Sequence, residues 1–290
     1  MSTPRVTNPP REHRGVTLIE VLTVIGVIAL LVAILLPSLS VLRRNAIFTK
    51  SQSNLRQIGT YLRSYQSDHR EYIVPAAFDY RNNPIPGKVR TTSPPGAVIP
   101  MGEARTGSWS DILWTHAGLG PVPLAIAEGE YDYRFDSPDR DYFLARPGEP
   151  SVFRSEAVNT RSKNGTNPYP FGTGSTDVEK DQPGYFAANG FFDSRPQNNG
   201  RWYTSAQIKR PAMSLYLVDS FAGEVIEPQC EPFGCDDTPE SEEAMEVDFR
   251  YVGGMALILK LDLSVKPESR WDTLEDLQND RQIRVTNLDR

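Results

Sequence analysis

Glu20 is the only charged residue in an apolar run of 21 residues, Val16 to Leu36. That length is about the ~20 residues a helix needs to cross a hydrocarbon core. A carboxylate inside such a span is costly and marks a functional position. A second acidic feature lies far downstream. Asp219 to Asp248 holds eleven acidic residues and no Lys or Arg. Such a block reads first as a solvated loop. Its sharper reading is a calcium site, because carboxylate and carbonyl oxygens suit that ion. Asp236, Asp237 and Asp248 are the first candidates, although EF-hand spacing is absent. Cys230 and Cys235 lie within the block. Outside the cytoplasm they can close a small disulfide loop, free thiols being the alternative.

Catalytic chemistry is not expected. The chain has three histidines. His13 lies in the N-terminal leader, and His69 and His116 stand alone. There is no HExxH, GxSxG or Walker-type phosphate loop. A carboxylate pair assembled by folding is the one catalytic arrangement the sequence leaves open.

The elements that position these residues begin with a polar leader, residues 1–15. It carries Arg5, Arg11 and Arg14 against Glu12. Basic flanks tend to stay cytoplasmic, so the expected topology is N-terminus inside and the bulk of the chain outside. A secretory signal peptide would have a shorter apolar region and a small-residue cleavage site after it. The span at 16–36 is expected to continue as an amphipathic helix over 37–70. Pro37 should kink it rather than end it. Leu55, Ile58, Leu62 and Tyr65 recur at steps of three, four and three, which defines one apolar face. A helix from about Val16 to Gln66 would be roughly 75 Å long.

Gly15-Val16-Thr17-Leu18-Ile19-Glu20, with Pro37 after the span, resembles the class III signal of type IV pilins and type II secretion pseudopilins. The resemblance implies cleavage by prepilin peptidase after Gly15 and methylation of the new N-terminus at Val16. It places Glu20 at the fifth mature position and Pro37 at the twenty-second. Val16 departs from the usual phenylalanine. In a filament the Glu20 carboxylate of one subunit could pair with the Val16 amine of its neighbour, and such a pair can set register. Removing the leader takes the formal charge from −6 to −8. That argues against nucleic acid as a partner, since a binder would show a basic patch.

Ser53-Asn54-Leu55-Arg56-Gln57-Ile58-Gly59 resembles a helix segment of large pilin-like proteins of planctomycetes, which carry a C-terminal H-x9-DG motif. Here that motif is degenerate: Tyr251 stands in place of the histidine, and Leu263-Ser264 in place of glycine-histidine. Gly59 costs up to ~1 kcal/mol relative to Ala within a helix, so a close packing contact is expected there. Residues 76–101 read as a surface loop. Ser108 or Ser110 should cap a short helix containing Trp109 and Trp114, with a Gly118–Gly120 stop. Strands are expected near Ser151–Arg154, over Gly184–Gly190, over Met213–Ser220 and, after a turn, over Ala256–Val265. A short helix is expected near Thr273–Asp280.

The expected fold is α+β. A long hydrophobic N-terminal helix packs on a C-terminal antiparallel-sheet head with long loops, and the head spans 71–290. The implied protein is a structural subunit in the inner membrane, its head extracytoplasmic. It would assemble with other pilin or pseudopilin subunits into a type II secretion pseudopilus or a type IV pilus-like filament. The alternative is an anchored binding module that never polymerises. No cofactor other than calcium is suggested.

Overall fold

The structure is a computed structural model. It describes residues 18–79, 90–92, 102–103, 106–119, 122–123, 151–158, 160, 183–195, 200–221, 223–226, 247–271 and 276–285. The chain divides into two compact units, 1–45 and 46–290.

Helix α1 runs from Leu18 to Asp68 and passes through Pro37 as helix. In the first unit its described side chains are exposed on every side. In the second unit Leu55, Ile58, Leu62 and Tyr65 are at most 2% exposed, which is the face their spacing implied. The helix ends without glycine. Arg70 and Glu71 take φ of 55° and 61°, and the Glu71 N–H returns to the Gln66 carbonyl at 2.8 Å. Two non-glycine residues in the left-handed region cost energy. The Glu71 side chain repays part of it by accepting from Ser205 Oγ at 3.1 Å.

The central sheet has six strands. These are β6 (Arg154–Val158), β7 (Pro183–Asn189), β8 (Leu215–Ser220), β9 (Val225–Ile226), β10 (Met255–Lys260) and β11 (Val265–Ser269). The order is β11-β10-β8-β7-β6, all antiparallel, and β9 joins β7 in parallel. Both faces of this sheet are buried. Along β10, Leu257 and Leu259 join the cluster containing the α1 face, while Ala256 and Ile258 join a second cluster with Trp271, Leu277, Ile283 and Val285. That is the alternation a pleated strand imposes. Burial on both sides also explains why β8 is apolar for four successive residues. At the edge, β11 carries Lys266, Pro267 and Glu268, residues that discourage pairing with another strand.

Several short elements flank the sheet. β1 (Ala77–Asp79) pairs antiparallel with β4 (Thr106–Ser108). Strands β2 (Arg90–Thr92), β3 (Gly102–Glu103) and β5 (Val122–Pro123) form a second small sheet. Helix α2 covers Trp109–His116. Its N-cap is Ser108, whose N–H donates to Asp111 at 2.8 Å, and Gly118 follows with φ of 70°.

Four expectations change. Residues 76–101 are not all surface loop, because Ala76, Ala77 and Phe78 are fully buried. The strand expected at Ser151–Arg154 begins at Arg154 instead. The single strand expected over Ala256–Val265 is a hairpin. Its turn holds Leu263 at φ of 69°, and Asp262 accepts from Ser264 N–H at 2.9 Å and from Ser264 Oγ at 2.6 Å. This is an Asx-type turn, hidden in sequence by alternation that runs through it. In the tail, Asp276–Asp280 form a π-helical turn, while Thr273 lies outside the described residues.

Candidate functional site

Two places concentrate the residues singled out by sequence. The first is the start of α1. Glu20 lies in its first turn, where a carboxylate is favoured by the helix dipole. The residues after it are apolar and exposed, from Val21 at 48% to Leu36 at 62%. None of the most apolar stretch of the helix is buried. The hydroxyls in this stretch are satisfied internally. Thr23 Oγ1 donates to the Ile19 carbonyl at 2.5 Å and Ser38 Oγ to the Leu35 carbonyl at 2.8 Å. Apolar surroundings require such internal pairing, since no water is available to the side chain. Gly15 and Val16 lie outside the described residues, and Pro37 is described by its helical backbone alone.

The second place is a buried ionic cluster under the degenerate motif. Arg250 has a fully buried side chain. Its Nη2 lies 3.2 Å from Asp248, its Nε 3.7 Å from Asp219, and it donates to the carbonyls of Ser220 and Ala157. Asp219 accepts from Leu257 N–H at 2.7 Å and from Tyr251 Oη at 3.3 Å. Burial pushes the Asp219 carboxyl up to about 6, with Arg250 and the Leu257 N–H pulling the other way. Tyr251 Oη also meets Ser155 Oγ at 3.0 Å, and Ser155 meets Ser51 of α1 at 3.4 Å. Burial raises the Tyr251 hydroxyl, so it stays protonated. Tyr251 thus supplies a polar link that needs no charge.

Asp248, one of the calcium candidates, is 1% exposed. It accepts from Thr160 N–H at 3.0 Å, from Thr160 Oγ1 and from Arg250. Its role in the fold is to fasten Thr160 and Arg250. Asp236, Asp237, Cys230 and Cys235 lie outside the described residues. Among the described residues no group of three His, Cys, Asp or Glu is placed to hold a metal.

Two relationships escaped sequence reasoning. His69 and His116 are not isolated: their rings lie 5.7 Å apart, both against Tyr65. His116 Nε2 is 3.1 Å from Ser64 Oγ and 3.7 Å from Asp68. Burial and the neighbouring His116 lower the His69 pKa, against the pull of Asp68. Glu224, from the acidic block, is 4% exposed and accepts from Ser108 Oγ and, at 3.1 Å, from Ser110 Oγ. It places a carboxylate at the α2 N-terminus, where the dipole stabilises it. A helix N-cap in Ser-Trp-Ser-Asp was the available signal, but not its partner.

The exposed apolar helix headed by one carboxylate is long and apolar enough to cross a membrane. Residues 10–36 match the family model of the prokaryotic N-terminal methylation motif. This motif, with the long apolar helix that runs on from it, supports a type IV pilin-like protein. Such a motif implies processing by prepilin peptidase and contact with other pilin-type subunits. No curated protein and no solved structure matches the chain.

Proposed function

We propose that the protein is a structural subunit, cut between Gly15 and Val16 and methylated at Val16. It would then assemble by helix packing into a type II secretion pseudopilus or a type IV pilus-like filament. Before assembly it sits in the cytoplasmic membrane with its head outside. The observation that carries this reading is Glu20 at the head of an exposed apolar helix, within the methylation motif. A head of this size and loop content suits a minor or specialised subunit better than a densely packed major one. A calcium ion on Asp236 and Asp237 belongs to the same proposal. Added calcium would then raise the melting temperature through linkage.

The test is the intact mass of protein recovered from cells containing the peptidase. A chain starting at Val16 and heavier by one methyl group is the expected result. A chain still starting at Met1 would sink the reading.

A further inference from the structure

Helix α1 is one-sided in charge. Between Glu20 and Asp68 it carries Arg43, Arg44, Lys50, Arg56 and Arg63 and no acidic residue. The chain as a whole is acidic, at −6. Two of these cations meet carboxylates. Lys50 lies 3.0 Å from Glu156, and Arg63 lies 3.8 Å from Glu71. Arg43 and Arg44 are exposed, and their side chains have no hydrogen bond or ion pair among the described residues. Their own helix supplies no partner. A carboxylate three or four positions away would be needed, and the nearest acidic residues on α1 are Glu20, 23 positions before Arg43, and Asp68, 24 positions after Arg44.

The position of the pair along the helix fixes its surroundings. The 22 residues from Val21 to Leu42 are uncharged. At ~1.5 Å per residue, Glu20 and Arg43 stand about 35 Å apart, slightly more than the ~30 Å of a hydrocarbon core. With α1 seated in a bilayer, the carboxylate meets one edge of the core and the two guanidinium groups meet the other. Leu39, Val41 and Leu42 are each more than half exposed. The helix therefore stays apolar up to the arginines and holds them at the level of the lipid phosphates rather than in open water.

The planar fork of donors on arginine matches phosphate oxygens in pairs. Successive side chains leave a helix about 100° apart, so each arginine can take its own headgroup. A zwitterionic headgroup brings a cation of its own beside the guanidinium, whereas an anionic one brings none. Two unpaired positive charges therefore favour the anionic kind. We propose that Arg43 and Arg44 form a binding site for anionic phospholipid, each guanidinium holding one headgroup phosphate at the membrane face opposite Glu20. This rests on the reading of the protein as a membrane-seated subunit and adds the lipid class that its outer boundary selects.

The experiment uses the full chain with a Leu42→Trp reporter, in vesicles of mixed phosphatidylcholine and phosphatidylglycerol. Bromine on the acyl chains of one lipid or the other quenches the reporter. The same chain without the reporter supplies the background from its four tryptophans. The readout is local to the reporter, so the leader's arginines do not enter it. Phosphatidylglycerol should be favoured there by about fivefold or more. Arg43→Gln with Arg44→Gln should bring the ratio to about one, and Arg56→Gln should leave it unchanged. The core clusters contain no residue of the 1–45 unit, so the double variant keeps its fold. A ratio near one with both arginines present overturns the proposal and assigns the pair to a protein partner. A preference that survives the double substitution, or that Arg56→Gln removes equally, overturns it in favour of diffuse charge. No quenching by either brominated lipid overturns it together with the membrane seating of α1, which keeps the two failures distinct.

Discussion

A Cβ placed on Gly184 would stand 1.0 Å from Nη1 of Arg250. The guanidinium therefore occupies the space that any side chain on this part of β7 would need. Glycine is required there by that occupancy rather than by its backbone angles. Gly184→Ala should expel Arg250 from between Asp219 and Asp248. Breaking a buried ionic arrangement is strongly unfavourable, so a loss of about 3 kcal/mol is expected. Denaturant unfolding of the variant and wild type measures it, and a difference near zero would show that the guanidinium can move aside.

The pH dependence of stability contains two opposed contributions. Asp219 titrates at about 6 in the folded protein and near ~3.9 in the unfolded chain. Its folded form holds the proton more tightly. Its contribution is therefore full below about pH 4 and lost as pH rises through about 6. His69 is lowered, so its contribution is present above about pH 6.5 and lost as pH falls. Asp219→Asn should gain on wild type between pH 4 and 6, by at most about 1.4 kcal/mol per unit. His69→Gln should gain on wild type as pH drops below 6.5. Unfolding free energies across that range, taken for both variants, check the two signs separately.

Gly59 faces the hairpin without being pressed by it. A Cβ there would lie 3.5 Å from Leu259 Cδ1 and 3.7 Å from Leu263 Cβ, which is ordinary contact. The close approach expected from sequence exists but leaves room for one methyl group. Gly59→Ala should stabilise by about 0.5–1 kcal/mol through helix propensity. A melting temperature below wild type would show that the hairpin cannot yield. Gly59→Leu has no such room and should destabilise.

Glu20 tests assembly apart from folding. It lies in the 1–45 unit, and the core clusters comprise residues of the other unit. Glu20→Ala should leave the melting temperature unchanged, within the ±0.5 kcal/mol typical of surface changes. It should abolish recovery of the protein in sheared filament fractions. Normal recovery would show that assembly does not need Glu20, whereas absence of the wild-type protein itself from those fractions would favour the anchored binding module.

Much of this architecture was written in local pattern. The α1 face at Leu55, Ile58, Leu62 and Tyr65 shows because helix burial repeats every three or four residues. The strand at Leu215–Ser220 shows because a strand covered on both sides stays apolar. Glu20 stands out because a lone charge in an apolar span is rare. What stayed hidden depends on contacts between distant residues. His69 and His116 meet only when α2 packs beside the end of α1. Gly184 and Arg250 are separated by the whole acidic block. The β10–β11 turn is masked because Leu-Lys-Leu-Asp-Leu-Ser-Val keeps alternating across it, and only the Asp262 side chain turns the backbone.

The polar contacts of Ser51 and Asn54 have a mechanical consequence. An apolar helix face alone could slide along a sheet by one turn and find similar neighbours. Here Ser51 Oγ accepts from the Glu156 N–H at 3.0 Å, and Asn54 Nδ2 donates to the Arg154 carbonyl at 3.1 Å. Lys50 adds an ion pair to Glu156 at 3.0 Å. All three contacts land on β6, within three residues of one another. A pull along this part of the helix is therefore delivered to one strand, and these contacts are stretched together rather than one after another. Such an anchorage resists traction up to a threshold and then fails abruptly.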